Sequence, residues 1–158
     1  MTAAVTARHD PAACALCGDD GGEVLYRNAR LRVVLVDDVL YPGFCRVVWN
    51  DHVKEMTDLA PLDRSHAMTV VCKVETSLRH VLAPHKINLA CLGNMTPHLH
   101  WHVIPRHQDD AHFPQPVWGQ WQRITPAEAL AARVALMPQL REAIAAQCAT
   151  LAAGAEAA

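Results

Sequence analysis

Three histidines occupy alternate positions of His98-Leu99-His100-Trp101-His102. In an extended strand alternate side chains share a face. The imidazoles would then stand in a row, neighbours roughly 6.7 Å apart at twice the strand rise. Leu99, Trp101 and Val103 would turn the other way, into a core. A solvated strand face would more often carry Lys, Thr and Glu. Two chemistries suit such a row. A neutral imidazole is a nucleophile that can form a covalent intermediate, and it is a good zinc ligand. Taken alone, the run does not separate nucleophile from metal site, and a hydrogen-bonded polar strand face is the plainer alternative.

A second group with chemical potential is Cys14-Ala15-Leu16-Cys17. Two thiolates at this spacing can take two corners of a tetrahedral zinc site. No second pair of this kind follows, and no pair of histidines three to five residues apart follows at finger distance. A redox pair would need a helix in a βαβ setting, whereas Gly18-Asp19-Asp20-Gly21-Gly22 reads as a turn. Cys45, Cys72, Cys91 and Cys148 lie among apolar residues. They read as reduced, buried thiols of a cytoplasmic protein rather than a disulfide framework.

Positioning such groups needs a scaffold, and the chain offers an α+β one. Strands are expected at 23–27, 31–36, 44–49, 86–92 and 98–104, from β-branched content and from Gly and Pro breaks between them. Pro97 and Pro105 bracket the histidine strand and suit its ends. Val70, Val71, Val74, Leu78 and Val81 recur at helical spacing, giving a main helix at 61–82 closed by Pro84. The segment 107–125 has no period and is expected to be an ordered loop held by aromatic packing of Trp118 and Trp121. From Pro126 the chain reads as an alanine-rich helix kinked by Pro138. The expected fold is an antiparallel sheet of about five strands with one main helix across it, plus a C-terminal helix. The expected organisation is a lead-in at 1–13, the main domain at 14–125 and the C-terminal helix at 126–158.

The 158 residues fit one core. Formal net charge is −2, with 19% charged residues. This argues against broad nucleic-acid binding, which needs a basic face. No apolar run approaches the roughly 20 residues that cross a bilayer, and residues 1–10 lack a basic stretch followed by an apolar one. A local site must therefore supply any phosphate chemistry.

His98-Leu99-His100-Trp101-His102-Val103-Ile104 resembles the signature of the histidine triad (HIT) superfamily, in which three histidines alternate with apolar residues and two further apolar residues follow. All seven positions fit. Pro105-Arg106 behind it, Pro42-Gly43 with 44–49 and His52, and Asn88 with Gly93-Asn94 extend the likeness over about 14–107. The resemblance implies a nucleotide hydrolase or transferase. His100 would attack the α-phosphorus of a phosphoanhydride or phosphoramidate, a dinucleoside polyphosphate among them, and form a nucleotidyl-histidine. His102 would bond phosphate or bridging oxygens as charge builds. Asp37 would bind ribose, and Asn88, Asn94, His98 and Arg106 would contact the nucleotide. Zinc-binding members imply a structural ion on Cys14, Cys17, His52 and His98, and family habit implies a homodimer joined edge to edge. Two positions depart from the pattern. Asn94 stands where Gln is usual, and Met95 where some branches carry Ser or Thr. Thr96 is not expected to replace that hydroxyl, since in a strand it would face away from Met95. A metal-dependent hydrolase using the three histidines, and a nucleotide-binding module without turnover, are the alternative functions.

Overall fold

A computed structural model describes residues 11–155. The first ten residues of the expected lead-in lie outside it, and 11–13 form one 3-10 turn. Five strands follow in the chain: β1 Glu23–Arg27, β2 Leu31–Leu35, β3 Cys45–Trp49, β4 Lys86–Ala90 and β5 His100–Arg106. They make one sheet in the order β1-β2-β3-β5-β4, with every neighbouring pair antiparallel. The helices are α1 Ala15–Gly18, a single turn, α2 Pro61–Leu82, α3 Ala127–Ala135 and α4 Met137–Ala155.

Side-chain alternation assigns the two faces of the sheet. Leu31, Val33 and Leu35 of β2, Cys45, Val47 and Trp49 of β3, and Val103 of β5 pack with α2 and α4. On α2 the buried residues include Val70, Val71, Val74, Leu78 and Val81, the stripe that periodicity gives. Leu140, Ile144 and Cys148 of α4 enter the same core fully buried. The C-terminal helix thus shares the sheet's core, and Arg141 clamps Glu23 of β1 through two bonds of 2.8 Å.

The opposite face is covered in part by α1. Val34 and Val48 pack there against Cys14 and Leu16, which is why all of β2 is buried. Arg32 points to this side and is itself buried, donating to the carbonyls of Leu16 at 2.7 Å and Asp20 at 3.0 Å. Helix α2 opens on Pro61, where its missing N–H costs nothing. It closes at Ala83, in the left-handed region, just before Pro84. Gly43 has φ +91°, and a Cβ there would lie 2.5 Å from Leu82 Cδ1, so only glycine lets the β2–β3 loop rest on the end of α2.

Several boundaries and roles differ from expectation. Strand β5 begins at His100, because residues 94–96 bend and His98 N–H turns back to the Thr96 carbonyl at 2.8 Å. Pro105 sits inside β5, opposite Ile87. The β3 pairing ends at Cys45 opposite Val103, so only one neighbour flanks β5 there. The C-terminal helix breaks at Leu136, and Pro138 falls in the first turn of α4, where proline is tolerated. Cys45 and Cys148 are buried as expected, but Cys72 and Cys91 are exposed. Cys72 lies on the solvent side of α2, and Cys91 follows the end of an edge strand.

The segment 107–125 is ordered around a buried carboxylate, in addition to ring contacts of Trp118 with His102 and of Trp121 with His112. Asp110 accepts from Arg106 Nε at 2.8 Å and Nη2 at 3.0 Å, and from the backbone N–H groups of His107, His112 and Phe113. Trp118 and Trp121 remain 53% and 59% exposed. Among the described residues no helix is long and apolar enough to cross a membrane.

Candidate active site and metal centre

The histidines of β5 lie on the face away from α2, as alternation requires. His100 and His102 are buried and form the floor of a cleft of about 610 Å³. Its walls come from three directions. Ala15, Leu16, Asp19 and Gly21 arrive from α1 and the turn after it, Leu92 to Thr96 from the β4–β5 connection, and Trp118 from the Asp110-held loop.

The ring of His100 has a defined orientation. Its Nδ1 lies 2.6 Å from the His98 carbonyl, which can only accept, so Nδ1 carries the proton and Nε2 keeps the lone pair. Burial holds the His100 pKa below the ordinary histidine value; the bond to His98 opposes this, and the charge of Arg46 adds to it. His102 is displaced further, to about 3, by burial first and then by His100 and Arg46. Its ring meets His100 at 4.7 Å and Trp118 at 5.0 Å between centroids, and its buried Nδ1 has no partner. Both rings are therefore neutral near pH 7. A neutral His102 ring can offer a hydrogen bond without adding a charge to the cleft.

His98 is not part of this cleft floor. Its Nε2 donates to the Trp49 carbonyl at 2.6 Å, and its Nδ1 faces Cys14 Sγ at 3.5 Å and Cys17 Sγ at 3.4 Å. His52 Nδ1 lies 3.2 Å from Cys17 Sγ. All four donor atoms lie within 4.8 Å of one another. Tetrahedral zinc with sulfur at about 2.3 Å and nitrogen at about 2.05 Å places neighbouring S and N roughly 3.6 Å apart. The observed spacings fit that geometry, and the Trp49 bond leaves His98 Nδ1 as the free lone pair. The expected grouping of Cys14, Cys17, His52 and His98 is the one the fold brings together. The expected substrate contact through the His98 side chain is not: both its ring nitrogens are engaged elsewhere.

Asn94 lines the histidine cleft, beside an almost fully exposed Met95. Thr96 lines it too. Alternation does not apply to these residues, because Gly93 at φ +75° opens a bend. Asp37 is elsewhere. Asp37 and Asp38 both line a separate cleft of about 440 Å³ beside Glu23, Met137 and Arg141, and the Asp38 charge also reaches Arg46. Arg106, at 2% exposed, is also turned away from the histidines. It is saturated by Asp110, by Asn88 Oδ1 at 2.6 Å and by the Gln115 carbonyl at 2.7 Å, so it braces a loop. Asn88 lines a neighbouring cleft of about 520 Å³.

Arg46 is the functional candidate that the sequence reading missed. It stands opposite His102 in the β3–β5 register and lines the histidine cleft. Its Nε is buried without a partner, and its Nη1 reaches only the Gly21 carbonyl, at 3.4 Å. The available signal was a lone arginine inside the apolar strand Phe44–Trp49.

Comparison with known proteins agrees with this geometry. The family model described as HIT domain matches residues 20–109. The AP-4-A phosphorylase of Mycobacterium tuberculosis (strain H37Rv) is 32% identical over 101 residues, 60% of this chain and 52% of that protein. The asymmetrical bis(5'-nucleosyl)-tetraphosphatase of Schizosaccharomyces pombe is 27% identical over 95 residues, 57% of this chain and 52% of that one. The chain thus spans about half the length of the curated relatives it matches. Among solved structures, a histidine triad protein of Bradyrhizobium japonicum superposes with TM-score 0.61 at 27% identity, covering 76% of this chain and 90% of the other. A zinc-bound histidine triad family protein of Mycobacterium smegmatis shares the fold at TM-score 0.54 and 19% identity, over 85% and 99% of the two chains. With its histidine row on the floor of a cleft and a family match across more than half its length, this chain belongs to the HIT domain family.

Proposed function

We propose that this chain is a nucleotidyl hydrolase or transferase, cleaving a nucleoside phosphoanhydride or phosphoramidate at the α-phosphorus through His100. The observation that carries the reading is the His100 ring, with Nδ1 tied to the His98 carbonyl and a neutral Nε2 left for the cleft. In the first step the Nε2 lone pair forms a bond to phosphorus and the bond to the bridging atom breaks, its electron pair leaving with the departing group. The positive charge that develops stays on the His100 ring, and the His98 carbonyl, accepting from Nδ1–H, stabilises it. In the second step water attacks phosphorus, the N–P bond breaks, and the nucleoside monophosphate leaves. His102 donates a hydrogen bond to phosphate oxygens, and Arg46 and Asn94 add donors to the same cleft. The two curated relatives are named for dinucleoside tetraphosphate substrates, which supports that class here.

Cys14, Cys17, His52 and His98 would hold zinc with no coordination position left open, in a structural role. Bound there, the ion would restrain His98, whose own carbonyl orients His100. Among the described residues this is the one group of three or more metal-ligating side chains, and it excludes His100 and His102. That favours a nucleophile over a catalytic metal held by the triad. Asp37 as a ribose ligand would require substrate to reach the cleft of about 440 Å³ that it lines together with Asp38, whose charge also reaches Arg46. We read the protein as cytoplasmic, with free thiols, and as a homodimer formed through a free sheet edge.

The test is rapid-quench reaction with α-labelled diadenosine tetraphosphate, looking for an acid-labile, base-stable label on the protein. The parent should label and His100→Ala should not. Turnover that survives in His100→Ala would sink the proposal, and binding without turnover by the parent would make the chain a nucleotide-binding module.

A further inference from the structure

The histidine cleft does not end at Trp118. A second cleft, of about 520 Å³, runs along β4, and the two share Leu92 and Trp118 as common walls. Its volume falls in the range of about 300–1,000 Å³ that holds small ligands. Its lining is apolar, from Leu89, Ile104 and Val117 among others, with one polar group, Asn88.

We propose that this second cleft is the subsite for the second nucleoside of a dinucleoside polyphosphate, with Trp118 as its stacking wall. The inference rests on the reading of the chain as a nucleotidyl hydrolase acting at His100. Three observations carry it. First, Trp118 is a large aromatic side chain left 53% exposed and yet held in place. One side of its ring meets His102 at 5.0 Å and 70°. The loop that bears it is anchored through Asp110 and through the Gly119 N–H, which donates to the Pro116 carbonyl at 2.8 Å. A fixed, half-open indole suits the face of a planar base.

Second, Asn88 presents an oriented donor. Its Oδ1 accepts from the buried Arg106 Nη1 at 2.6 Å, so its Nδ2 is the end left for the cleft. An apolar slot with one aimed N–H2 matches a heterocycle with ring-edge acceptors better than it matches a phosphate or an alkyl chain. Third, the two clefts adjoin at Leu92 and Trp118, and Trp118 touches His102, so the second cleft lies beside the one in which His100 would act. Arg46, which has no carboxylate ion pair among the described residues, lies in the first cleft where phosphates would pass.

The test compares two probes that differ only in the second nucleoside: diadenosine tetraphosphate and adenosine 5'-tetraphosphate. Affinities are measured by calorimetry on the His100→Ala chain, which binds without turning over. The dinucleotide is expected to bind about tenfold tighter, the scale of one base stacked on an aromatic side chain. Trp118→Ala in that background should weaken the dinucleotide more than adenosine tetraphosphate and so erase most of the difference, while Trp118→Phe should keep most of it. Equal affinities for the two probes, or equal weakening of both by Trp118→Ala, would overturn the proposal. Absence of turnover by the parent chain would instead remove the hydrolase reading, and the affinity comparison would still decide whether the subsite exists.

Discussion

Asp110→Ala removes one carboxylate and strands a set of buried and half-buried donors. Arg106 Nε and Nη2 lose partners at 2.8 and 3.0 Å, and the N–H groups of His107, His112 and Phe113 lose theirs at 3.2, 3.1 and 2.7 Å. The Tyr41 hydroxyl, 3.3 Å from the same carboxylate, keeps His112 Nδ1 at 2.6 Å. Both charged side chains are 2% exposed, so the guanidinium remains as a buried cation with no carboxylate, bonded to Asn88 and the Gln115 carbonyl and flanked by the rings of Tyr41 and Phe113. Breaking such a pair by removing one partner costs about 3–5 kcal/mol, a large share of the roughly 5–15 kcal/mol that holds a domain together. The assay is urea unfolding of Asp110→Ala, Arg106→Met and the double variant. The double should be less damaged than the two single losses added together, because it leaves no unpaired charge. Acid should act in the same direction. Burial alone would raise the Asp110 pKa, but the bonds and charge of Arg106 bring it below the ordinary carboxylate value. With the folded value below the unfolded one of about 3.9, the pair stabilises fully above that pH and fades as pH falls through the folded value. A loss under about 1 kcal/mol for Asp110→Ala, or additive single losses, would refute the reasoning.

Two further outcomes follow from the same structure. Cys17→Ser removes one of four converging ligands; the parent should carry zinc and lose thermal stability on chelation, whereas the variant should carry little and respond little, and equal zinc content in the two would count against the site. His102 is neutral in the fold down to about pH 3 but protonates near 6.5 once unfolded. Stability should therefore fall as pH drops below about 6.5, by up to about 1.4 kcal/mol per pH unit for this group. His102→Gln should flatten that slope in unfolding curves compared at pH 5 and pH 7; an unchanged slope would show that the ring is not held neutral.

The histidine face, the main helix and the five strands were legible because each depends on local periodicity. Alternation assigns His100 and His102 to one face, and spacing assigns Val70, Val74 and Leu78 to another. The metal grouping came from family resemblance, since no local pattern joins Cys14 to a histidine 84 residues away. What stayed hidden is tertiary. Arg106 reads as a surface or phosphate-binding cation until Asp110 closes on it, four residues later in the chain. Arg32 and Arg46 read as ordinary strand residues until the turn after α1 is laid across them. The bend at Gly93 cancels the alternation that would have sent Thr96 away from the cleft. Two adjacent carboxylates, Asp37 and Asp38, line one cleft, and only the fold shows that the charge of Asp38 also reaches Arg46.

The cysteine pair and its histidines are also spread along the order of synthesis. Cys17 leaves the ribosome 35 residues ahead of His52, and Cys14 leaves it 84 residues ahead of His98. For that interval the thiols have no completed cage. An ion held by all four side chains can settle only after β3 has formed and the approach to β5 has been made, when the Trp49 carbonyl is there to turn the His98 ring. Metal retention by a nascent or truncated chain would therefore mark the moment at which the central strands come together.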